Sequence, residues 1–289
     1  MHKHMAENRH RMTMNLSPVS RGLLRIAAIG LILTGNLPCL RAQQNEQDAK
    51  ALVSKAVKSE LAADASDHSL WRYRDEQREQ HKVSIVVNTR QGSVKRLIEK
   101  NGQPLSQAEM QAEDSRLQNF IHDSSALAKQ KKDAEHDDKN ATALLKMLPE
   151  AFRWTVKGRS GDTLTLHFEP DPNFNPPDMQ SRVLSAMNGQ LIVNEKQQRI
   201  QEINGKLTRD VTIGWGLLGR LHQGGTFRVE RREIAPGLWQ ITETHVHIQG
   251  KALLFKNIGQ QQDEVQTDFT RVPDSTTLEQ AVEMSKPKK

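Results

Sequence analysis

The chain has almost no cysteine, few aromatic residues and almost no net charge beyond its first 42 residues. Cys39 is the only cysteine, and aromatic residues make up 4% of the chain. A single cysteine excludes intrachain disulfides and multi-cysteine metal sites. Residues 1–42 contain six of the 41 basic and one of the 35 acidic residues, which leaves 35 basic and 34 acidic residues. The high isoelectric point therefore arises in this segment, and we expect no nucleic-acid partner.

Only one long apolar run is present, from Ile26 to Leu33, and it follows Arg21 and Arg25. It is shorter than the roughly 20 apolar residues that span a bilayer. A basic segment, a short apolar stretch and a small residue at the cleavage position are typical of a secretory signal. We therefore predict a signal peptide over residues 1–42, cleaved after Ala42. The exported protein is expected in the periplasm or secreted, with outer-membrane association as an option.

Two alternatives to simple cleavage remain open at this stage. An uncleaved segment would act as a membrane anchor. Lipid attachment at Cys39 would also tether the protein, although Pro38 stands where a lipoprotein signal has a small residue. Peripheral membrane contact is therefore part of the expectation.

Helical periodicity is predicted in two places. Residues 46–63 carry one apolar stripe, and residues 106–148 are long, polar and mixed in charge. Ser106 and Glu109 have the spacing of a capping box at the start of the second segment. We interpret residues 106–148 as a helical insertion.

Most of the remaining chain alternates apolar and polar residues in short segments that end at glycine or polar turns. This pattern predicts about ten antiparallel strands and no parallel sheet. The expected fold is mainly β (α+β), a curved antiparallel meander or open half-barrel covered by the N-terminal helix and the helical insertion. Residues 43–273 are predicted to form a single β-rich domain, and residues 274–289 a flexible tail.

No motif in the sequence makes a case for catalysis. Residues 214–219 match G-x-G-x-x-G, but no helix follows, so a dinucleotide site is not expected. Glu243, His245 and His247 share one strand face, which would suit a metal-dependent hydrolase if further ligands were present. We favour polar surface residues there, and predict no catalytic residue, no metal and no cofactor.

Aromatic and apolar residues in the predicted strands are the candidates for a ligand cavity, since binding pockets are mostly apolar. A packed core is the alternative interpretation of the same residues. The cavity candidates are Trp71, Trp154, Phe168, Trp215, Leu217, Trp239 and Phe255.

Several segments resemble a family of uncharacterised secreted bacterial proteins. The resemblance rests on short stretches that lie between about residues 70 and 273. These stretches cover residues 101–106, 173–177, 187–191, 214–219 and 250–256. It implies a shared fold and no particular activity.

The order of elements also distantly resembles the LolA/LolB lipoprotein carriers and the related RseB sensor domain. The resemblance lies in a leading helix, a long meander, and a late strand with Trp239 before a final strand with Phe269. It implies a half-barrel whose apolar face accommodates lipid. The polar segment 106–148 departs from that pattern.

Together these observations predict a non-enzymatic exported protein that binds a lipid, an acyl chain or an acylated protein in a curved β-sheet. The alternative is an envelope scaffold or sensor that binds another protein through its sheet or through residues 106–148. A metal-dependent hydrolase is the third possibility.

Overall fold

Thirteen antiparallel strands form one open sheet in the part of the chain that the structure, a computed structural model, describes: residues 37–213, 219–252 and 257–287. The strands are β1 (Leu70–Gln77), β2 (Lys82–Asn88), β3 (Ser93–Lys100), β4 (Gln103–Pro104), β5 (Phe152–Ser160), β6 (Thr163–Pro170), β7 (Met187–Asn194), β8 (Arg199–Leu207), β9 (Val211–Ile213), β10 (Gly219–Leu221), β11 (Thr226–Ala235), β12 (Leu238–Ala252) and β13 (Asn257–Val272). The main path runs β4-β3-β2-β1-β13-β12-β11-β8-β7-β6-β5, and β10 pairs with β12 and β9.

Five α-helices accompany the sheet within these residues. They are α1 (Leu37–Ser66), α2 (Gln107–His122), α3 (Ser124–Ala151), α4 (Met179–Leu184) and α5 (Leu278–Met284). A search of the described helices for one that is both long and apolar enough to cross a membrane finds none. Residues Pro38–Lys289 form one compact unit.

Two pairings between distant strands join local hairpins into one sheet. The strand β1 pairs with β13, for example Leu70 with Val272, and β8 pairs with β11, for example Glu202 with Glu230. The hairpins themselves are local antiparallel neighbours, whose alternation is visible in the sequence. The distant pairings place the last three strands between the first four and β5–β8.

The sheet buries opposite faces in its two halves. One face carries Trp154 and Phe168, and we call it the α1 face, because α1 packs on it over β5–β8. The other face carries Ile85 and Val94, and we call it the α2 face, because α2 and α5 pack on it over β1–β3. Each half-sheet therefore has its own apolar core, and the helices lie on different sides.

The predicted fold class is confirmed: the chain is mainly antiparallel β, with an open sheet, an N-terminal helix and a helical insertion. The capping box of Ser106 and Glu109 is also present at the start of α2. The described strands outnumber the ten predicted, since β4, β9 and β10 are only two or three residues long.

The tail after residue 273 differs from the prediction of a flexible segment. Thr277 and Gln280 form a capping box that starts α5, and Leu278, Ala281 and Val282 are buried in the core on the α2 face. The prediction was wrong because the apolar side chains of this short helix find a partner surface that only the folded sheet provides.

Candidate functional site

The α1 face of β5 and β6 carries a cluster of three aromatic rings. Phe152 and Phe168 have ring centroids 4.6 Å apart, and Trp154 lies 5.4 Å from Phe168. The three side chains are almost completely buried, and the indole N–H of Trp154 donates to the carbonyl oxygen of Leu148 at 3.1 Å. This arrangement is a packed core in which the one polar aromatic atom has its partner.

The helix α1 covers this face with small side chains. Ala49, Val53, Ala56 and Val57 are buried in the same core as the three rings, at spacings of three and four residues along α1. Leu52 and Leu61 of α1 are half-buried and pack against this core. The apolar side chains that α1 buries completely are therefore small ones.

One buried carboxylate fixes the C-terminal half of α1 to the sheet. Glu60 is fully buried, and its Oε1 and Oε2 accept hydrogen bonds from Nε (3.0 Å) and Nη2 (2.9 Å) of Arg199. Oε1 also accepts from the backbone N–H of Ile200 at 2.6 Å, and Arg231 donates to Oε2. Two guanidinium groups and one amide thus compensate the charge of this carboxylate.

The position of this cluster follows from the divergence of two strands. The pairing of β8 with β11 ends at Glu202 and Glu230, and the hairpin of β11 and β12 continues beyond it. The backbone N–H of Ile200 lies past this point, and Glu60 supplies the acceptor that it needs. We call Glu60, Arg199 and Arg231 the fork cluster.

A polar cleft of about 290 Å³ opens at the C-terminal end of α1, next to the fork cluster. Arg199 lines this cleft as well as binding Glu60. Burial raises the pKa of Asp64, one of its carboxyl groups, and Arg231 at 3.7 Å only partly offsets that effect. Other charged groups in its wall are Asp67, His68, Arg90, Arg271 and Asp274.

Four of the seven predicted cavity residues lie in the described part of the chain, and they occupy three separate places. Trp154 and Phe168 meet in the buried cluster under α1. Trp71 packs edge-on against Phe269, and Arg271 lies over its ring at 5.7 Å. The other three predicted residues, Trp215, Leu217 and Phe255, lie outside the described residues.

Trp239 forms part of the surroundings of the fork cluster. The guanidinium group of Arg199 lies 5.9 Å from the centroid of its ring, and its indole N–H donates to Oε1 of Gln197 at 2.7 Å. Its backbone carbonyl accepts from Arg231. Of the four predicted cavity residues that the structure describes, Trp239 is thus the one beside the buried ion pairs.

Sequence reasoning did not identify Glu60, Arg199 or Arg231. A usable signal existed for Glu60, because it continues the buried stripe of Val53, Ala56 and Val57 at helical spacing. A carboxylate at a core position of a helix requires a partner, which predicts a buried cation. Nothing in the sequence said which of the many arginines would supply it.

Glu243, His245 and His247 do share one side of β12, as predicted. Nε2 of His245 lies 3.1 Å from Oε2 of Glu243, and Nδ1 lies 2.8 Å from Oδ1 of Asp263 on β13. Nδ1 of His247 instead lies 3.0 Å from Oε1 of Gln261. Both nitrogens of His245 thus face carboxylates, and among the described residues no group of three or more possible ligands has metal-binding geometry.

A second buried acidic group lies on the α1 face where β1 meets β13. Asp75 is only 1% exposed, and its carboxylate lies beside Lys95 and Glu264. Burial, and then the neighbouring carboxyl group of Glu264, raises the pKa of Asp75 to about 6 against the effect of Lys95. Burial also acts to raise the pKa of Glu264, but Asp75 and the hydrogen bonds that Gln262 and Gln266 donate lower it overall. Asp75 is therefore the carboxyl group of the pair that holds a proton at mildly acidic pH.

Comparison of the chain with protein-family models, with curated proteins and with solved structures finds no match. The case for a function therefore depends on the geometry above.

Proposed function

We propose that this protein is a non-enzymatic exported binder of a lipid, an acyl chain or an acylated protein, which it takes up on the α1 face. One observation carries the proposal: the largest apolar core among the described residues is covered by α1, by α4 and by the end of α3, and the apolar side chains that α1 buries completely there are alanines and valines. Such a helix is a modest apolar partner for a surface that carries Trp154 and Phe168. An acyl chain would compete with it for the same surface.

The free energy of burying apolar groups supports the replacement of α1 by an acyl chain on this face. Each methylene group of an acyl chain gains about 0.8 kcal/mol on burial. An acyl chain of more than about ten methylene groups therefore offers about 8 kcal/mol or more, enough to compete with the four small buried side chains of α1 and its half-buried Leu52 and Leu61. The opposing contribution is the fork cluster, which holds the C-terminal half of α1 in place. A ligand would bind by favouring the conformation in which α1 has moved away.

The test is uptake of a fluorescent fatty acid by the delipidated full chain. We expect saturable binding, and tighter binding by Glu60→Gln, because the variant weakens the contact that holds α1 down. Glu150→Gln is the matched control: it removes the exposed partner of Lys50, 2.5 Å from its Nζ, and should bind like the unmodified chain.

Absence of uptake by both the unmodified chain and Glu60→Gln would refute the proposal. A second form of the experiment replaces the fatty acid with a fluorescent diacylated peptide. Preference for the peptide would identify an acylated protein as the partner, and preference for the fatty acid would identify a free lipid.

A protein-binding scaffold is the second candidate, and it is favoured by one observation on α3. Leu127 packs near the core on the α2 face and Leu148 lies in the core on the α1 face, while residues 131–139 between them are exposed. An exposed helix of mixed charge, held at both ends, is a suitable surface for a protein partner. Neutralising its charges with glutamine and asparagine should then abolish a specific co-purifying partner without changing thermal stability.

A further inference from the structure

We propose that the cleft at the end of α1 binds a zwitterionic phosphoethanolamine group, with the phosphate near Arg271 and the ammonium near Asp64. The inference rests on the proposed function, because it names the head group of the lipid whose acyl chain the α1 face would take. The volume of about 290 Å³ is close to the lower limit, about 300 Å³, of small-molecule sites.

Arg271 is the cation in the cleft that is left for a ligand. It is exposed, its guanidinium group stacks on Trp71, and no carboxylate of the described residues lies within 4 Å of it. Arg199 is already paired with Glu60, and Arg90 lies 3.3 Å from Asp274. A guanidinium group that lies over an indole ring keeps its N–H donors available, and its planar set of donors suits a phosphate.

Asp64 is the corresponding anion. Its nearest cation is Nη2 of Arg231 at 3.7 Å, and that group already serves the fork cluster. At 3.7 Å this contact is longer than a direct hydrogen bond, and burial raises the pKa of Asp64 despite it. An ammonium group at this position would give the carboxylate a direct partner.

The charge balance of the cleft favours a zwitterion over a simple anion. Four carboxylates and four arginines line or adjoin the cleft: Glu60, Asp64, Asp67 and Asp274, and Arg90, Arg199, Arg231 and Arg271. Of these carboxylates, Asp67 accepts hydrogen bonds from the backbone N–H of Ser69 at 2.8 Å and from Gln240. A ligand of zero net charge preserves this balance, whereas a net anion does not.

The position of the cleft links it to the proposed acyl site. Arg199 lines the cleft on one side and holds Glu60 of α1 on the other. A phospholipid with its head group in the cleft would therefore have its acyl chains beside the end of the surface that α1 covers. The polar wall selects the head group and the α1 face accepts the chain.

Isothermal titration calorimetry of the full chain with two soluble probes tests the inference. We expect O-phosphoethanolamine to bind saturably, and about tenfold more tightly than glycerol 1-phosphate, since one charge-assisted contact is worth roughly a factor of ten. Arg271→Gln should weaken binding of both probes about tenfold, while Asp64→Asn should weaken only phosphoethanolamine and so remove the preference. Arg153→Gln, an exposed arginine 3.6 Å from Glu169 and outside the cleft, is the control and should bind normally.

No saturable binding, equal affinity for the two probes, or normal binding by both Arg271→Gln and Asp64→Asn would overturn the inference. Dihexanoyl phosphatidylethanolamine, used below its micelle concentration, distinguishes the sources of the group. If this lipid binds more tightly than O-phosphoethanolamine, the ligand is a phospholipid. If the two bind equally, the ligand is a free phosphoethanolamine compound.

Fatty-acid uptake measured on the same variants separates this inference from the proposed function. Normal fatty-acid uptake together with no head-group binding would refute only the proposed phosphoethanolamine site in the cleft. Head-group binding with no fatty-acid uptake would refute only the acyl site.

Discussion

Glu60 of α1 and Arg199 of β8 form a two-point ion pair in which both side chains are buried. The two oxygens of the carboxylate meet Nε and Nη2 of the guanidinium group at 3.0 and 2.9 Å. The residues are 139 positions apart in the sequence. This pair, with Arg231, connects the N-terminal helix to the point at which β8 and β11 separate.

Replacement of Glu60 by alanine should strongly destabilise the fold. The substitution leaves buried Arg199 without its anion, removes the main partner of half-buried Arg231, and leaves the N–H of Ile200 without an acceptor. We expect the free energy of unfolding to fall by about 3–5 kcal/mol. Urea denaturation measures it, and Glu150→Ala should change it by less than about 1 kcal/mol, as expected for an exposed pair. A small effect of Glu60→Ala would mean that α1 is not held by this cluster.

Phe168→Ala distinguishes a packed core from an unfilled cavity. Phe168 is completely buried and contacts both Phe152 and Trp154. Removal of its ring should lower the free energy of unfolding by about 3–5 kcal/mol. Met110→Ala, at a methionine that is 45% exposed, should change it by less than about 0.5 kcal/mol. A loss below about 1 kcal/mol at Phe168 would contradict the packed arrangement.

Asp75→Asn should change how stability depends on pH. The pKa of Asp75 is raised to about 6, above the value of about 3.9 in an unfolded chain. The native state therefore holds this proton more tightly, so the stabilisation is complete below pH 4 and is lost as the pH rises through 6. Asparagine cannot titrate. Relative to the unmodified chain, the variant should gain about 1 kcal/mol between pH 5 and 7.5, which is the part of the linkage free energy that falls in this pH range.

Thermal or urea unfolding at several pH values measures this difference. Restricting the scan to pH 5 and above keeps Glu264, whose pKa is lowered, out of the comparison. Asp133→Asn, at an exposed residue of α3, should give a curve parallel to that of the unmodified chain. A parallel curve for Asp75→Asn as well would show that Asp75 holds no extra proton in the native state across this pH range.

Truncation after Thr276 should destabilise the half of the fold built on the α2 face. It removes Leu278 and Val282 from the core, and it removes Ser285, whose hydroxyl accepts from Nε of buried Arg96 at 2.9 Å. The two apolar side chains alone account for about 3–6 kcal/mol. Truncation after Lys286 keeps the whole of α5 and should leave the melting temperature unchanged. Equal melting temperatures for the two truncations would mean that α5 does not contribute to the stability of the fold.

Local structure was readable from the sequence to a large extent. Alternation at Phe152, Trp154 and Leu166, Phe168 predicted the hairpin of β5 and β6, because a strand with one buried face has a period of two. The capping box at Ser106 predicted the start of α2 for an equally local reason. The same signal at Thr277 was present and was not used, because the following helix is too short to be stable alone.

The candidate site was readable only in part. Their alternation predicts Trp154 and Phe168 on the buried face of one hairpin, and their rings do meet there. Trp71 and Trp239 were assigned to the same cavity because of residue type, but the sheet order places them elsewhere, beside Arg271 and Arg199. Residue type predicts burial, whereas the neighbours of a buried residue depend on which strands pair.

The sequence alone determined the mainly antiparallel class of this fold and the helical character of residues 106–148, since both depend on periodicity and turn chemistry within short segments. Only the tertiary structure decided that β1 pairs with β13, that the two halves of the sheet bury opposite faces, and that Glu60 meets Arg199. The physical reason is range. The residues of a single strand or helix determine which of its sides is apolar. Which other element covers that side depends on all the apolar surfaces and charges of the folded chain.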